Sequence, residues 1–414
     1  MSPRVVITGI GAITPIGSGA EGLWEGVRRG EPAGRRITRF DPAGLRSQVA
    51  AEIPTFDPTE YVSAKRARRL DLFSQLSVAA SAQALADAGL AGGSRELRRA
   101  AVYLGSALGG VPPSEEEHAR FVGGGLRAVS PMLALSVFGG AGATNVAMEF
   151  GMRGPTMGNA NSCASGATAI GEAFRLVRSG SADVALAGGV EAPIAPLTIG
   201  AFALIRATTT RNEDPRGASR PFDRDRDGFL MAEGGAMLVL EALGHAERRG
   251  ARPYAELNGY GATNDAHHMT APLPSGEEAA LAMTLAMREA GRSPDEIGYV
   301  NAHATATPLG DPAEARAVRR ALGAAAYRTP MSGTKGLHGH SLGASGAIET
   351  AITALSLDRG WLPPTANLED PDPACELAHV PAGGKEEAAD VAVTNSFGFG
   401  GFNASLVLSR WQEA

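Results

Sequence analysis

Asn161-Ser162-Cys163-Ala164-Ser165-Gly166-Ala167 contains four residues that return 180 positions later as Ala344-Ser345-Gly346-Ala347. The two copies also end in register, the first at Gly180 and the second at Gly360. Within the first, Ala167, Ile170, Phe174 and Val177 recur at helical spacing, which predicts a helix with a buried face running up to Gly180. Other pairs keep the same order. Ile7-Thr8-Gly9-Ile10-Gly11-Ala12 has an echo in Leu257-Asn258-Gly259-Tyr260-Gly261-Ala262, and Ala182-Asp183-Val184-Ala185 has one in Ala389-Asp390-Val391-Ala392. Gly234-Gly235 before Leu238-Val239-Leu240 matches Gly400-Gly401 before Leu406-Val407-Leu408. Strands alternating with small-residue helices, duplicated in order, predict an α/β fold: a five-layer α-β-α-β-α sandwich with helices between and outside two sheets. The halves are residues 1–250, which carry Cys163 and insertions around 109–148 and 206–227, and residues 251–414. No flexible linker separates them, so one rigid body is expected.

The 414 residues are 44% hydrophobic and 20% charged, an ordinary soluble composition with room for two core-bearing units. Fifty-four glycines against 5% aromatics predict closely approaching backbones. Two cysteines make no disulfide framework, and Met1-Ser2-Pro3-Arg4-Val5-Val6-Ile7 has no secretory h-region, which points to the cytoplasm. No apolar run reaches transmembrane length, so no membrane partner is expected, and a net charge of −6 argues against nucleic acid.

Cys163 stands where a helix begins. A free cysteine is by itself most often a small buried hydrophobe, but a helix N-terminus favours thiolate and so predicts a nucleophile. Partners lie downstream. His303 sits in Tyr299-Val300-Asn301-Ala302-His303-Ala304-Thr305-Ala306-Thr307-Pro308, a strand end opening into a polar loop. Lys335, His338 and His340 sit in Gly333-Thr334-Lys335-Gly336-Leu337-His338-Gly339-His340-Ser341-Leu342-Gly343, which leads into the second copy of the helix. Asn395-Ser396-Phe397-Gly398-Phe399-Gly400-Gly401 can turn sharply and aim an N–H at an oxyanion. A thiolate can accept an acyl group, and two neutral histidines can donate hydrogen bonds to the enolate left when a malonyl group loses carbon dioxide. The helix start is expected to keep His340 neutral. Lys335 is a candidate to hold a carboxylate or orient the histidines, with Glu314 and Glu349 as counter-charges. His303, His338 and His340 lack acidic or thiolate company in sequence, so no metal is expected. His267-His268 reads as a loop pair near the site.

At these residues the chain resembles the β-ketoacyl-acyl carrier protein synthases of the elongating KAS II type, within the thiolase superfamily. The likeness spans essentially the whole length and includes Thr210-Arg211-Asn212, Ser219 to Asp223 and Arg226-Asp227-Gly228. It implies a dimeric enzyme that loads an acyl chain onto Cys163, decarboxylates malonyl-carrier protein with His303 and His340, and joins the two by Claisen condensation. It further implies an oxyanion hole from the Cys163 and Phe399 amides and a Phe399 gate. Thr305 and Thr307 are implied to meet the phosphopantetheine arm, which is the carrier's and not a bound cofactor.

The departures from the family bear on the substrate. Ala304 stands where glycine is usual, Ala306 where serine or glycine is usual, and Phe402 where threonine is usual, so all three bear on the substrate tunnel. With the polar Met157-Gly158-Asn159-Ala160-Asn161, they point to a specialised type II polyketide or polyene system over housekeeping fatty-acid elongation. Lys65-Arg66-Ala67-Arg68-Arg69, with Arg206, matches the family's basic patch for an acidic carrier protein. A chain-length-factor-like subunit would lack the nucleophile, although the chain could pair with one instead of forming a homodimer. A thiolase would need a second cysteine in the Phe397–Gly401 loop, and Cys375 lies elsewhere.

Overall fold

The computed structural model describes residues 2–412. Strands β1 (Val5–Thr14), β2 (Ala101–Gly105), β3 (Thr156–Asn159), β4 (Val184–Glu191) and β5 (Gly234–Ala242) belong to the first half. Strands β6 (Ala255–Asn264), β7 (Tyr299–Asn301), β8 (Met331–Ser332), β9 (Val391–Gly398) and β10 (Phe402–Arg410) belong to the second. The first five pair in the order β1-β5-β4-β2-β3, and the second five in the order β6-β10-β9-β7-β8, the same topology shifted by five. Strand directions match as well. In each half the first three strands of that order are antiparallel to their neighbours, and the last two pairings are parallel.

The two sheets are joined. Val5, Val6 and Ile7 pair with Leu257, Glu256 and Ala255, making one continuous sheet. Each half leaves one edge of its first strand open, and these edges satisfy one another where they meet at the pseudo-twofold axis.

Helices α1 (Leu72–Asp87) and α2 (Ala141–Phe150) cover the outside of the first sheet, with Phe73, Leu76 and Leu85 packed on Val102, Leu186 and Val239. Helix α3 (Ser165–Arg178) lies between the sheets. Helix α4 (Pro196–Leu204) borders the site. Helices α5 (Glu277–Ala290) and α6 (Gly310–Leu322) cover the far side, with Met283, Met287 and Val318 against Val300, Val393 and Val407. Helix α7 (Ser345–Arg359) joins α3 in the middle, where Ile170, Phe174, Ile348 and Leu355 share one core with both inner sheet faces. This is the expected five-layer sandwich.

The repeated Ala-Ser-Gly-Ala follows from how α3 meets α7. A Cβ on Gly166 would lie 2.9 Å from the Gly343 carbonyl oxygen and 3.0 Å from the Ala347 nitrogen, while one on Gly346 would lie 2.9 Å from Ala167. Only glycine lets the two helix starts touch there. Helix α7 is buried from Ser345 to Leu357. Its hydroxyls on Thr350, Thr353 and Ser356 bond back to the carbonyls of Gly346, Glu349 and Ile352 at 2.6, 2.7 and 2.8 Å, so the core holds no orphaned polar groups at these positions.

Candidate active site

Four loops converge between the sheets. Cys163 lies in the turn from β3 to α3, His303 follows β7, His340 lies between β8 and α7, and Gly398–Gly401 connect β9 to β10. Ser162 (φ 50°) and Leu342 (φ 42°) occupy matching positions in the duplicated turns, both left-handed although neither is glycine. Such backbones persist where surrounding packing over-determines them, and here they swing the strand sharply into the helix.

His340 Nε2 lies 3.1 Å from Cys163 Sγ, and its Nδ1 lies 2.9 Å from Ser345 Oγ. The ring centroids of His303 and His340 are 5.4 Å apart. Lys335, fully buried, pairs with Glu349, donates to the His303 carbonyl oxygen and approaches His303 Nδ1 at 3.3 Å. An ammonium only donates, so His303 Nδ1 is the acceptor and its proton sits on Nε2, opposite the lysine. Glu314 accepts the N–H groups of His303 at 2.8 Å and Ala304 at 2.7 Å and so fixes this loop.

Burial dominates the electrostatics. It holds His303 and His340 well below the usual histidine range, with the Lys335 charge acting in the same direction. His340 is therefore neutral as expected, with burial the largest cause. Burial also pushes the Cys163 thiol up to about 12, opposed by Lys335 and by the N–H groups of Phe399 and Cys163 itself. The resting group is a thiol and not the thiolate expected from the helix start, because desolvating the sulfur outweighs the partial charge of one helix end. Glu314 is raised to about 7 and Glu349 to about 8 by the same burial, with Lys335 opposing both.

Sγ and the ring nitrogens of His303 and His340 fall within 4.8 Å of one another. The spacing would admit a soft cation, but the Lys335 ammonium beside His303 already supplies a positive charge there and opposes a second.

A cavity opens from Cys163 in two directions. One side is apolar, walled by Ala107, Leu108, Phe202, Phe229 and Leu342; the other carries Asp265, His268, Thr270, Thr305 and Thr307. Phe399 stacks on Phe202 at 6.2 Å between centroids, and Phe202 meets Phe229 edge-on at 5.8 Å. Thr305 and Thr307 bring their hydroxyls to 3.1 Å. Ala304 (φ 36°) and Ala306 (φ 62°) are left-handed, at the positions where the sequence departs from glycine. Phe402 does not line this cavity. It pairs with Gly398 and Asn264 at the start of β10, with its ring beneath Gly400.

Lys65, Arg66 and Arg69 edge a surface depression that also holds Met132, Leu135 and Phe138. Arg66 is spoken for by Glu149 at 3.0 Å and the Asn145 carbonyl at 3.2 Å, whereas Lys65, Arg68 and Arg69 are exposed. Arg206 is exposed just past α4, beside exposed Leu204 and Ile205. Cys375 is buried in the outer core of the second half and does not line the cavity.

Several wall residues have no signal in the sequence. Phe202, Phe229 and Leu108 read as ordinary apolar residues; Glu191, buried behind the wall, reads as a lone acid ending an apolar strand. His268 lines the cavity, and its Nδ1 accepts the N–H groups of Thr270 and Ala271 at 3.1 Å each, which shapes the loop. No helix among the described residues is long and apolar enough to cross a membrane.

The arrangement is suited to acyl transfer: a thiol, two neutral imidazoles around it, backbone N–H groups leaning on the sulfur, and a cavity apolar on one side. Known proteins agree. Residues 2–246 match the family model "Beta-ketoacyl synthase, N-terminal domain" and residues 254–369 match "Beta-ketoacyl synthase, C-terminal domain". The chain is 42% identical over 409 residues to 3-oxoacyl-(acyl-carrier-protein) synthase 2 of Synechocystis, covering 99% of this chain and 98% of that one. It is 41% identical to the same-named protein of Coxiella burnetii, covering 98% of both. Among solved structures, the ishigamide ketosynthase/chain length factor superposes with a TM-score of 0.94 at 34% identity, covering 100% of both chains. A type II polyketide ketosynthase complexed with its acyl-carrier protein superposes with a TM-score of 0.92 at 31% identity, over 99% of this chain and 100% of that one. With both halves of the family model matched in order and the thiol and imidazoles gathered between them, this chain belongs to the β-ketoacyl synthase family.

Proposed function

We propose that the chain lengthens acyl groups carried on an acyl carrier protein, by decarboxylative condensation with a malonyl unit. The observation that carries this is the Cys163 Sγ to His340 Nε2 contact of 3.1 Å, with His303 beside it and tied down by Lys335. In the first step Cys163 sulfur attacks the acyl thioester and its proton leaves with the carrier's phosphopantetheine thiol. The N–H groups of Cys163 and Phe399 hold the oxyanion of the tetrahedral intermediate. In the second, the malonyl C–C bond breaks, carbon dioxide leaves, and the electron pair becomes an enolate whose oxygen takes hydrogen bonds from Nε2 of both histidines. Donation from His340 requires its Nδ1 to accept from Ser345, whose hydroxyl is in place at 2.9 Å. The enolate carbon then attacks the Cys163 thioester and the cysteine leaves as thiolate, which takes a proton from solvent to return to the thiol that burial favours.

The carrier's arm enters past Thr305 and Thr307, whose hydroxyls face it as a pair, and its acidic surface meets Lys65, Arg68, Arg69 and Arg206, with Leu204 and Ile205 supplying apolar contact. A second chain adds along the open edge of β3, whose Thr156 and Gly158 are exposed. That partner is another copy or a chain-length-factor-like subunit.

Left-handed Ala304 and Ala306, in the loop bearing the two threonines, favour a specialised polyketide or polyene chain over saturated fatty-acid elongation. Intact-protein mass spectrometry after incubation with saturated and polyunsaturated acyl-carrier substrates tests both levels. Cys163→Ala abolishes the acyl adduct under this reading, and an adduct that persists refutes it. Equal or better loading of long saturated chains would sink the specialised reading alone.

A further inference from the structure

Glu191 ends β4, whose other residues are Val, Ala, Leu and Gly, and it is fully buried. Its carboxylate accepts four hydrogen bonds. Oε1 takes Ser106 Oγ at 2.7 Å and the Leu108 N–H at 3.1 Å, and Oε2 takes the N–H groups of Ala107 at 2.6 Å and Gly343 at 3.0 Å. A proton on Glu191 would face three fixed N–H donors. Only Ser106 Oγ, which already accepts from Gly109 at 2.8 Å, could receive it. Burial pushes the group up, but this donor set favours the anion.

The four donors come from both halves of the molecule. Ala107 and Leu108 line the cavity beside Cys163, while Gly343 follows His340 by three residues and left-handed Leu342 by one. The backbones touch. A Cβ on Gly343 would lie 2.4 Å from the Ala107 nitrogen and 2.8 Å from Glu191 Oε2, and one on Gly189 would lie 2.7 Å from the Gly343 carbonyl oxygen.

We propose that Glu191 is a positioning residue: it fastens the Ser106–Leu108 segment to the His340 loop, fixing the approach of His340 to Cys163, and sets a negative charge behind the thiol. The role in acyl transfer rests on the condensation reading above. Around Cys163 the two imidazoles are neutral, Lys335 is the cation that favours thiolate, and Glu191 is the anion that opposes it. Glu314 and Glu349 stand on the lysine side.

Two variants of the full chain test this. Glu191→Gln keeps an amide oxygen for Ala107 and Gly343, offers its NH₂ to Ser106, gives up the bond from the Leu108 N–H, and removes the charge. Iodoacetamide labelling of Cys163, followed by intact mass from pH 6 to 10, should then run faster below the midpoint by about 3- to 10-fold, the effect of roughly half to one unit in thiol pKa. Glu191→Ala removes the clamp as well. Its octanoyl transfer from carrier to Cys163 should fall at least about 10-fold with labelling retained, since positioning losses act on the acyl step. A Glu191→Gln labelling profile identical to that of the parent chain overturns the proposal, as does parental octanoyl transfer by Glu191→Ala. If Glu191→Ala does not fold, the Glu191→Gln profile decides. A parent chain that labels normally but never takes the octanoyl group refutes the condensation reading and leaves the labelling test of the charge standing.

Discussion

Replacing Lys335 by methionine should separate the two chemical steps. The ammonium is fully buried and has three partners: the Glu349 carboxylate, the His303 carbonyl oxygen, and His303 Nδ1 at 3.3 Å. Its removal does not strand a full charge. Glu349 is raised to about 8 even with the ammonium beside it, so without it the carboxyl takes a proton at neutral pH. The stability cost is then that of lost hydrogen bonds to a buried site, about 1–3 kcal/mol, and the protein stays folded. The chemical cost falls on His303. With no donor at Nδ1, the ring is free to move its proton there and to turn an acceptor lone pair on Nε2 towards the enolate. Losing one oriented donor to a developing oxyanion costs roughly 2.7–4 kcal/mol, or about 10²- to 10³-fold in rate. Loading of Cys163 uses the Phe399 and Cys163 amides and should slow only a few-fold, through loss of the nearby positive charge. The assay runs acyl loading by intact mass alongside carbon dioxide release from malonyl-carrier protein. Equal losses in both steps, or undiminished carbon dioxide release, would refute the assignment of Lys335 as the residue that orients His303.

Ala304→Gly and Ala306→Gly should each raise the melting temperature: a left-handed alanine costs about 1–2 kcal/mol, and the glycine gives back about 0.5–1 kcal/mol in chain entropy. Calorimetry with no gain for either variant would mean the loop is not strained at φ 36° and 62°. His338, buried and lowered to about 3, binds its proton more weakly folded than unfolded, so its contribution is whole above pH 6.5 and drains away as pH falls towards 3. His338→Gln should therefore flatten the acid limb of stability by up to about 1.4 kcal/mol per pH unit, read by urea unfolding at pH 7.5 and 5.5; parallel limbs would contradict this. Reversing the exposed charges in Arg68→Glu/Arg69→Glu should raise the KM for carrier substrates about 5- to 10-fold at low salt and less at high salt. Unchanged kinetics at low salt would move the docking surface elsewhere.

What the sequence discloses and what it conceals differ by a physical criterion. The duplication is legible because glycine at Gly166 and Gly346 is demanded by backbone contact, and such demands leave identical residues at a fixed offset. His303 and His340 are legible together: one opens a polar loop at a strand end, the other stands in a glycine-rich loop leading into the second copy of the helix that follows the cysteine. The protonation of Cys163 is not legible, since a helix start is visible in sequence while the depth of burial that overrides it is not. Glu191 is hidden for the same reason: three of its four partners are backbone N–H groups, which nearly every residue carries. The 180-residue offset also says more than it first does. It pairs Cys163 with Gly343, not with His340. The position opposite the nucleophile therefore has no side chain, and it cannot have one, because a Cβ there would sit 2.4 Å from the Ala107 nitrogen. Its N–H instead goes to Glu191 at 3.0 Å. The two helix starts are thus copies in which one kept a reactive side chain and the other gave its place to a carboxylate clamp, with His340 supplied from three residues earlier. Refilling the vacant position is consequently incompatible with closing the pocket wall, so the pseudosymmetric position of this chain carries no second nucleophile.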